Sequence, residues 1–485
     1  MRVAIVHYHL QPGGVTRIIE HSLRALQHSG FMVGVMSGKA PPGAYPAPWS
    51  VVEGLQYEAF RPRISARSLA AELLREARTM LGGLPDIWHV HNHSLGKNTA
   101  LAGALLELAR QGHRLLLHVH DFAEDGRPAN YRLMLQAMAA GRNHELSRLL
   151  YPCGEHVHYG VLNSRDYRFL EQAGAPSGCL HLLANPVELP LGCGAELELP
   201  RSDDFLWIYP TRAIRRKNIG ELLLWSALAR PGHRFATTLS PDNPAEQPRY
   251  QRWKKIAQEL RLPVEFELGK KQQLGFIPML RQAHALITTS VNEGFGLAFL
   301  EPWLLGRPVT GRKLREITAE FQEQGISLPW GYERLDIPLE WLGREQLIQA
   351  AREGLRRSRD AYGRRVGASD LERLLASWVV EERVDFGRLN ETFQEAVLRR
   401  LVADPGAAAA ITPSTLPCPE DAQEVILENC RILKKQFSLE QYGQKLRALY
   451  GAICAGSVSA VTALDGEVLV DRFLAPERLH LLGVD

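Results

Sequence analysis

Residues 2–26 read RVAIVHYHLQPGGVTRIIEHSLRAL. The first six, RVAIVH, form a short continuous apolar run of the kind that becomes a parallel strand buried on both faces. Gly13 and Gly14 follow, and after them apolar residues recur at helical spacing. The same grammar repeats along the N-terminal third. FMVGVMSG (31–38) is a strand, a helix is expected near 66–81, and DIWHVHNH (86–93) is the next strand. A helix over 98–110, the strand RLLLHVHD (114–121), the strand HVHYGVLN (156–163) and the helix SRDYRFLEQAG (164–174) complete the series. Strands alternating with helices predict a doubly wound parallel sheet.

Near 185–201 the text turns rich in Pro and Gly and reads as a linker. A second alternation then starts with DFLWIYP (204–210). Helix 218–229, HRFATTLS (233–240), helix 246–261, VEFELG (264–269), helix 272–283, HALITTS (284–290) and helix 297–305 follow. The expected fold class is therefore α/β, with two Rossmann-like domains facing across a cleft at their strand C-termini, where ligands bind in open sheets. The expected bounds are 1–188, 189–435 with a helical insertion at about 340–423, and a C-terminal helix and tail over 436–485 that packs back on the first domain.

Composition bounds the function. At 485 residues the chain exceeds one ordinary core. A formal net charge of +3 is too small to suggest a nucleic-acid partner. The six cysteines show no CxxC pair, so they read as buried thiols of a reducing compartment. The first residues form a strand and make no signal peptide. No apolar run approaches the roughly 18 residues a membrane span needs. The expected location is cytoplasmic. Oligomeric state is not readable.

Three loops carry the chemistry. Gly13-Gly14, between strand and helix, lets backbone N–H groups approach an anion at a helix N-terminus; the other reading is a tight turn that needs positive φ. The dinucleotide GxGxxG spacing is absent. PTRAIRRKNIGELL (210–223) places Arg212 and Lys217 five apart across a strand-to-helix loop, a pairing suited to a diphosphate. Arg215 and Arg216 complicate that choice, and either is readable as a plain surface charge. VNEGFGLAFLE (291–301) sets Glu293 at a strand's C-terminal end, then Gly294, Phe295 and Gly296 leading into a helix, then Glu301 about one turn inside it. Carboxylates accept two hydrogen bonds from vicinal hydroxyls, as hexose and ribose present. Glu301 is open to a plainer reading as a helix-dipole partner.

With those residues in hand, the chain resembles the retaining GT-B glycosyltransferases of family 4 over roughly residues 1–310, and again over its last helices (about 424–454). The E-x7-E pair Glu293–Glu301 and the basic loop upstream carry the resemblance, with GGVTR (13–17). It implies that Gly13, Gly14, Arg212 and Lys217 hold the diphosphate of a UDP-, GDP- or ADP-hexose donor. Glu293 would hold the hexose and Glu301 the ribose, with Gly294, Phe295 and Gly296 beside the phosphates. It implies no tightly bound cofactor and no metal, because the basic pair takes the metal's place. Arg212, Lys217, Glu293 and His120 are the expected catalytic set. The activity implied is transfer of a hexose to an acceptor hydroxyl by front-face displacement with retention. A sugar-nucleotide epimerase, a phosphorylase and a non-catalytic sugar-binding protein of this fold are the competing readings.

His120 ends the strand RLLLHVHD, where its imidazole could donate to a donor hydroxyl. His89, His91 and His93 with His118 and His120 line one strand face at a spacing that zinc sites also use; cleft-lining or core histidines are the other reading. Asp121, Arg127, Asn130 and Tyr131, in DFAEDGRPANYRLM (121–134), are acceptor candidates, against an ordinary loop whose Asn130 caps a helix. REGLRRSRDAYGRR (352–365) could lie on anionic lipid, with a solvated face as the alternative. Two stretches depart from the family pattern. One is 313–343, whose Pro-Trp-Gly-Tyr centre looks like a loop, and the other is the long segment after 340. Both leave the acceptor open.

Overall fold

The computed structural model describes residues 1–57, 64–189, 204–272, 275–419 and 421–484. Most of the expected linker, from 190 on, lies outside them. The chain divides into two compact units. Unit 1 holds Met1–Pro186 with Phe437–Leu474, and unit 2 holds Val187–Gln436 with Ala475–Asp485.

In unit 1 the strands are β1 (Arg2–His7), β2 (Met32–Ser37), β3 (Trp49–Val51), β4 (Ile87–His91), β5 (Leu115–Val119), β6 (Pro152–Cys153), β7 (Val157–Val161) and β8 (Leu180–Leu182). Seven of them make one parallel sheet in the order β3-β2-β1-β4-β5-β7-β8. β4, β5 and β7 are buried at every position, their histidines included, as strands covered on both faces are. The helices expected at 66–81 and 98–110 run over Ala66–Leu81 and Thr99–Arg110. Ser65 and Asn98 cap them by accepting from first-turn N–H groups.

Unit 2 repeats the pattern with β9 (Phe205–Arg212), β10 (His233–Leu239), β11 (Val264–Glu265), β12 (Ala285–Thr288), β13 (Val309–Arg312) and β14 (Gly331–Tyr332), ordered β11-β10-β9-β12-β13-β14. Trp207, Trp225, Trp253 and Trp378 anchor its core.

The structure corrects several expectations. The stretch VEFELG is a strand only over its first two residues, because Glu267 adopts φ 60° and a helix starts at Leu268. Helix 272–283 shortens to Phe276–Arg281 among the described residues. The Pro-Trp-Gly-Tyr centre, read as a loop, supplies β14. Gly331 and Tyr332 pair in parallel with Gly311 and Arg312 and extend the sheet. The segment expected to be a helical insertion has its helices at Arg344–Asp360, Asp370–Trp378 and Glu391–Ala403. It also supplies β16 (Val379–Val380) and β17 (Arg383–Asp385), which form an antiparallel sheet with β15 (Asp336–Pro338) just ahead of it.

The C-terminal region returns to unit 1 through the helix Leu439–Ala455, whose Tyr442, Leu446 and Tyr450 enter the core built on Val3, Ile5 and Ile19. The Ser22 and Tyr442 hydroxyls hydrogen-bond at 2.9 Å. Strand β18 (Thr462–Ala463) pairs with β6. The final residues do not follow, contrary to the expected bound. Leu481 packs in the core of unit 2, and the Leu479 carbonyl accepts from Trp378 Nε1 and Arg388 Nη1.

Candidate functional site

The site in unit 2 grows from two strand ends. β9 runs out at Arg212, a 3₁₀ turn follows over Arg215–Lys217, and Asn218 takes a left-handed conformation (φ 51°) before the helix Ile219–Ala227. β12 ends at Thr288, and Thr289 Oγ1 donates to the carbonyls of Lys217 and Asn218 at 3.0 and 3.1 Å. The Val291 N–H donates to the Arg216 carbonyl at 3.0 Å. Backbone and hydroxyl together lock one loop on the other.

That lock brings the Lys217 ammonium onto the Glu293 carboxylate. Their side chains are 16% and 10% exposed, so the pair is largely out of water. Burial pushes the Glu293 carboxyl up, but the charges of Lys217 and Arg216 outweigh it and hold the group below the usual carboxylate range. Burial lowers the Lys217 ammonium, Arg216 adds to that, and Glu293 only partly restores it. The Glu293 direction describes a carboxylate that stays ionised beside Lys217 and Arg216. Arg216 was one charge among several in the sequence. Its Nε is buried and has no hydrogen-bond partner, a placement that sequence spacing alone does not reveal.

The remaining expected site residues of unit 2 sit differently. Arg212 turns to Asp242, and both side chains are more than half exposed. Arg215 is committed to structure: it donates to Glu391 and to the Val484 carbonyl. Gly296 has φ 91°, and a Cβ there would stand 2.9 Å from Ile317 Cγ2, so the turn needs glycine. Phe295 is buried edge-on against Phe321, with ring centroids 5.6 Å apart. Glu301 does not lie one turn inside a helix over 297–305. A 3₁₀ turn covers Leu297–Phe299, and Glu301 opens the short helix Glu301–Leu304, where Pro302 fits the first turn.

Behind Lys217 lies a buried charge network. Arg312 forks onto Glu221 and Asp385 with contacts of 2.7–3.1 Å, and the Tyr332 hydroxyl donates to Glu221. Asn218 Nδ2 also donates to Glu221, at 2.8 Å, and Gln394 Nε2 donates to Asn218 Oδ1. The stretches that depart from the family pattern thus supply Tyr332, Asp385 and Gln394, which brace the turn carrying Lys217.

In unit 1 the helix Gly14–Leu26 has no side-chain cap. Gly13 has extended φ (175°), and a Cβ on Gly14 would meet nothing within 4 Å. Positive φ is therefore not what these glycines provide, and what they leave is an open helix N-terminus. His120 follows β5, and its N–H donates to Asn92 Oδ1 at 2.7 Å. Burial lowers its imidazole to about 4, with Asp121 opposing. The ring is neutral at pH 7 and keeps one N–H to donate.

Arg127 Nη2 donates to Asp121 Oδ1 at 2.7 Å, and both side chains remain partly exposed. Asn130 does not cap a helix. It lies inside the first turn of the helix Pro128–Ala139, whose cap position is Arg127, and its Nδ2 donates to the Leu95 carbonyl. Tyr131 is 3% exposed. The same loop holds Glu124, which no sequence signal singles out. It is buried against the Tyr151 hydroxyl (2.8 Å), and burial raises its carboxyl to about 7. Its neighbours Asp121 and Asp125 look alike in the sequence, and only burial separates it.

Along 352–365, Arg356 and Arg357 pair with Glu353, and Arg356 also pairs with Asp360, on an exposed helix face. Those pairings match two of the arginines with carboxylates on the same helix. Among the described residues no helix is long and apolar enough to cross a membrane.

Known proteins resemble this chain in sequence and in fold. A glycosyl transferase 4-like domain matches residues 13–178. Mannosylglucosyl-3-phosphoglycerate synthase of Petrotoga mobilis is 25% identical over 345 residues, and the match covers 64% of this chain and 64% of that relative's length. Among solved structures, sucrose-phosphate synthase from Thermosynechococcus elongatus superposes with TM-score 0.52 at 15% identity, over 94% of this chain and 99% of the other. Anabaena HepE, solved with UDP-glucose, gives 0.52 at 13% identity over 93% and 100%. The fold is that of the GT-B enzymes, two parallel α/β sheets with a helical C-terminal region. The chain is thus similar to the family 4 (group 1) glycosyltransferases in its N-terminal domain and in its curated relative, and it has the fold of the GT-B enzymes.

Proposed function

We propose that the protein is a retaining glycosyltransferase that moves a hexose from a nucleotide-sugar donor to an acceptor hydroxyl without a metal ion. The observation that carries this reading is the buried Lys217–Glu293 contact, with Arg216 beside it. Lys217 and Arg212 bind the donor diphosphate, and Arg212 exchanges its exposed partner Asp242 for phosphate. Arg216, with its orphaned Nε, adds a third cation. Glu293 accepts from hexose hydroxyls and Glu301 from the ribose. The Gly294–Phe295–Gly296 turn sets both carboxylates. In unit 1 the open N-terminus at Gly13-Gly14 offers backbone N–H groups to phosphate, and the neutral His120 donates to a donor hydroxyl.

The chemistry is front-face displacement. The bond from the anomeric carbon to the diphosphate oxygen breaks, and its electrons stay on the diphosphate, where the cations stabilise them. The acceptor oxygen forms the new bond on the same face, and its proton passes to a phosphate oxygen. Preorganised charge of this kind is usually the largest catalytic term. The acceptor side falls to the 121–131 segment, where Asp121 and Arg127 keep accessible side chains, with Asn130 and Tyr131 behind them. HepE was solved with UDP-glucose, and the Petrotoga relative is named for a phosphoglycerate sugar. UDP-hexoses and phosphoglycerate-bearing sugars therefore head the donor and acceptor panels. Nucleoside diphosphate release across UDP-, GDP- and ADP-hexoses, with and without acceptor, tests the reading. Release that needs an acceptor supports it, and release without acceptor or none at all refutes it.

A further inference from the structure

In unit 1, His89 and His91 lie on β4 and His118 on β5, with His120 just past its end and His91 and His118 in direct register. The rings stack, with centroids 4.4 Å apart for His89–His91 and 4.2 Å for His118–His120. All four are buried. Stacked core histidines normally satisfy their ring nitrogens, yet His91 Nε2 and His118 Nε2 have no hydrogen-bond partner.

We propose that His89, His91 and His118 form a binding site for a first-row divalent transition metal such as Zn²⁺ or Co²⁺. One ring nitrogen from each lies within 4.8 Å of the other two. His89 Nε2 and His118 Nδ1 are 3.1 Å apart. Two nitrogens on one tetrahedral zinc, each bonded at about 2.0–2.1 Å, stand roughly 3.3 Å apart. The pair is close to the spacing that a shared ion imposes.

The outer contacts of His89 and His91 also fit. Ligating imidazoles usually give their other ring N–H to an acceptor, which fixes the ring and its tautomer. His89 Nδ1 meets the Tyr450 hydroxyl at 2.7 Å, which leaves Nε2 for the ion. His91 Nδ1 meets His120 Nε2 at 2.8 Å, which leaves the orphaned Nε2. The donor set is imidazole, which suits Zn²⁺, Co²⁺, Ni²⁺ and Cu²⁺ and disfavours Mg²⁺ and Ca²⁺. The site lies wholly in unit 1 and involves neither Lys217 nor Glu293. It touches the transfer chemistry proposed above only through His120, the partner of His91 Nδ1.

The test reads metal and not activity. Full-length protein is stripped with a chelator, dialysed against Co²⁺ or Zn²⁺, desalted and assayed for metal per chain. The expected result is one ion per chain, with the visible d–d absorption of a nitrogen-ligated, four-coordinate Co²⁺. Loss of an outer partner costs about 10–100-fold in affinity, so Tyr450→Phe weakens binding about tenfold and His118→Gln by more than about 100-fold. His181→Gln, in the separate His158–His181 pair, leaves it unchanged. Wild-type protein that retains no metal overturns the proposal. So does retention unaffected by both His118→Gln and Tyr450→Phe, or a sulfur-to-cobalt charge-transfer band that marks a cysteine site. Should His118→Gln fail to fold, wild-type stoichiometry and Tyr450→Phe still decide.

Discussion

The ammonium of Lys217 rests on the carboxylate of Glu293 although 76 positions separate them in the chain. Each strand end alone offers an ordinary charged loop. Together they place a buried anion and a buried cation at the C-terminal edge of one parallel sheet, where such sheets bind ligands. In the proposed reaction Lys217 stabilises the departing diphosphate. Lys217→Ala then keeps its far-ultraviolet circular dichroism and loses about 10²-fold or more in kcat, the scale of one preorganised charge-stabilising group. Steady-state kinetics on the folded variant check this.

The Arg312 network predicts a stability effect of a different kind. Arg312, Glu221 and Asp385 are all nearly inaccessible to water. Removing one partner of such a buried pair strands the others, at about 3–5 kcal/mol. Arg312→Met should lower the unfolding free energy by that amount. The same change loosens Asn218 through Glu221, so kcat falls in whatever fraction remains folded. Urea unfolding followed by tryptophan fluorescence gives the first number.

Gly296 tests the turn between the two glutamates. Alanine there meets Ile317 and must hold a φ of 91°. A non-glycine residue in a sparsely populated region costs roughly 1–3 kcal/mol. Gly296→Ala should melt at lower temperature and lose the upward shift in melting temperature that nucleotide sugars give the wild type by mass action. Differential scanning fluorimetry with UDP-, GDP- and ADP-hexoses reads both effects at once.

Much of this was legible in the sequence. A continuous apolar run announced β1, apolar-rich stretches announced β4, β5 and β12, and the fold class followed from their alternation with helices. Gly13-Gly14, Arg212, Lys217, Glu293 and Glu301 were visible because glycines and charges at strand ends stand out from an apolar background. Glu124 was not, since nothing local distinguishes a buried carboxyl from its exposed neighbours. Strand β14 escaped for the converse reason. Two residues flanked by Trp and Glu carry no periodicity, and only pairing with Gly311 and Arg312 makes them a strand. The Arg312–Glu221–Asp385 triad spans three separate segments, so no window of sequence contains it.

Glu124 predicts a pH dependence. Burial raises its carboxyl from an ordinary value near 4.5 to about 7 in the fold, with the Tyr151 hydroxyl opposing and Asp125 adding. The folded state therefore holds this proton more tightly than the unfolded chain. The contribution is fully present below pH 4.5 and is lost as pH rises through 7. At about 1.4 kcal/mol per pKa unit, the loss is about 3 kcal/mol. Glu124→Gln removes the titration. The difference in unfolding free energy between variant and wild type, measured from pH 5 to pH 8, should grow in the variant's favour as pH rises.

The most direct measurement is proton NMR of the transfer reaction, with an α-linked nucleotide hexose and the acceptor from the release screen. Wild-type protein, without added metal and with chelator present, should form an α-linked product in step with nucleoside diphosphate, and Lys217→Ala should slow both about 10²-fold or more. A β-linked product, or Lys217→Ala turning over at the wild-type rate, would contradict the proposed reaction.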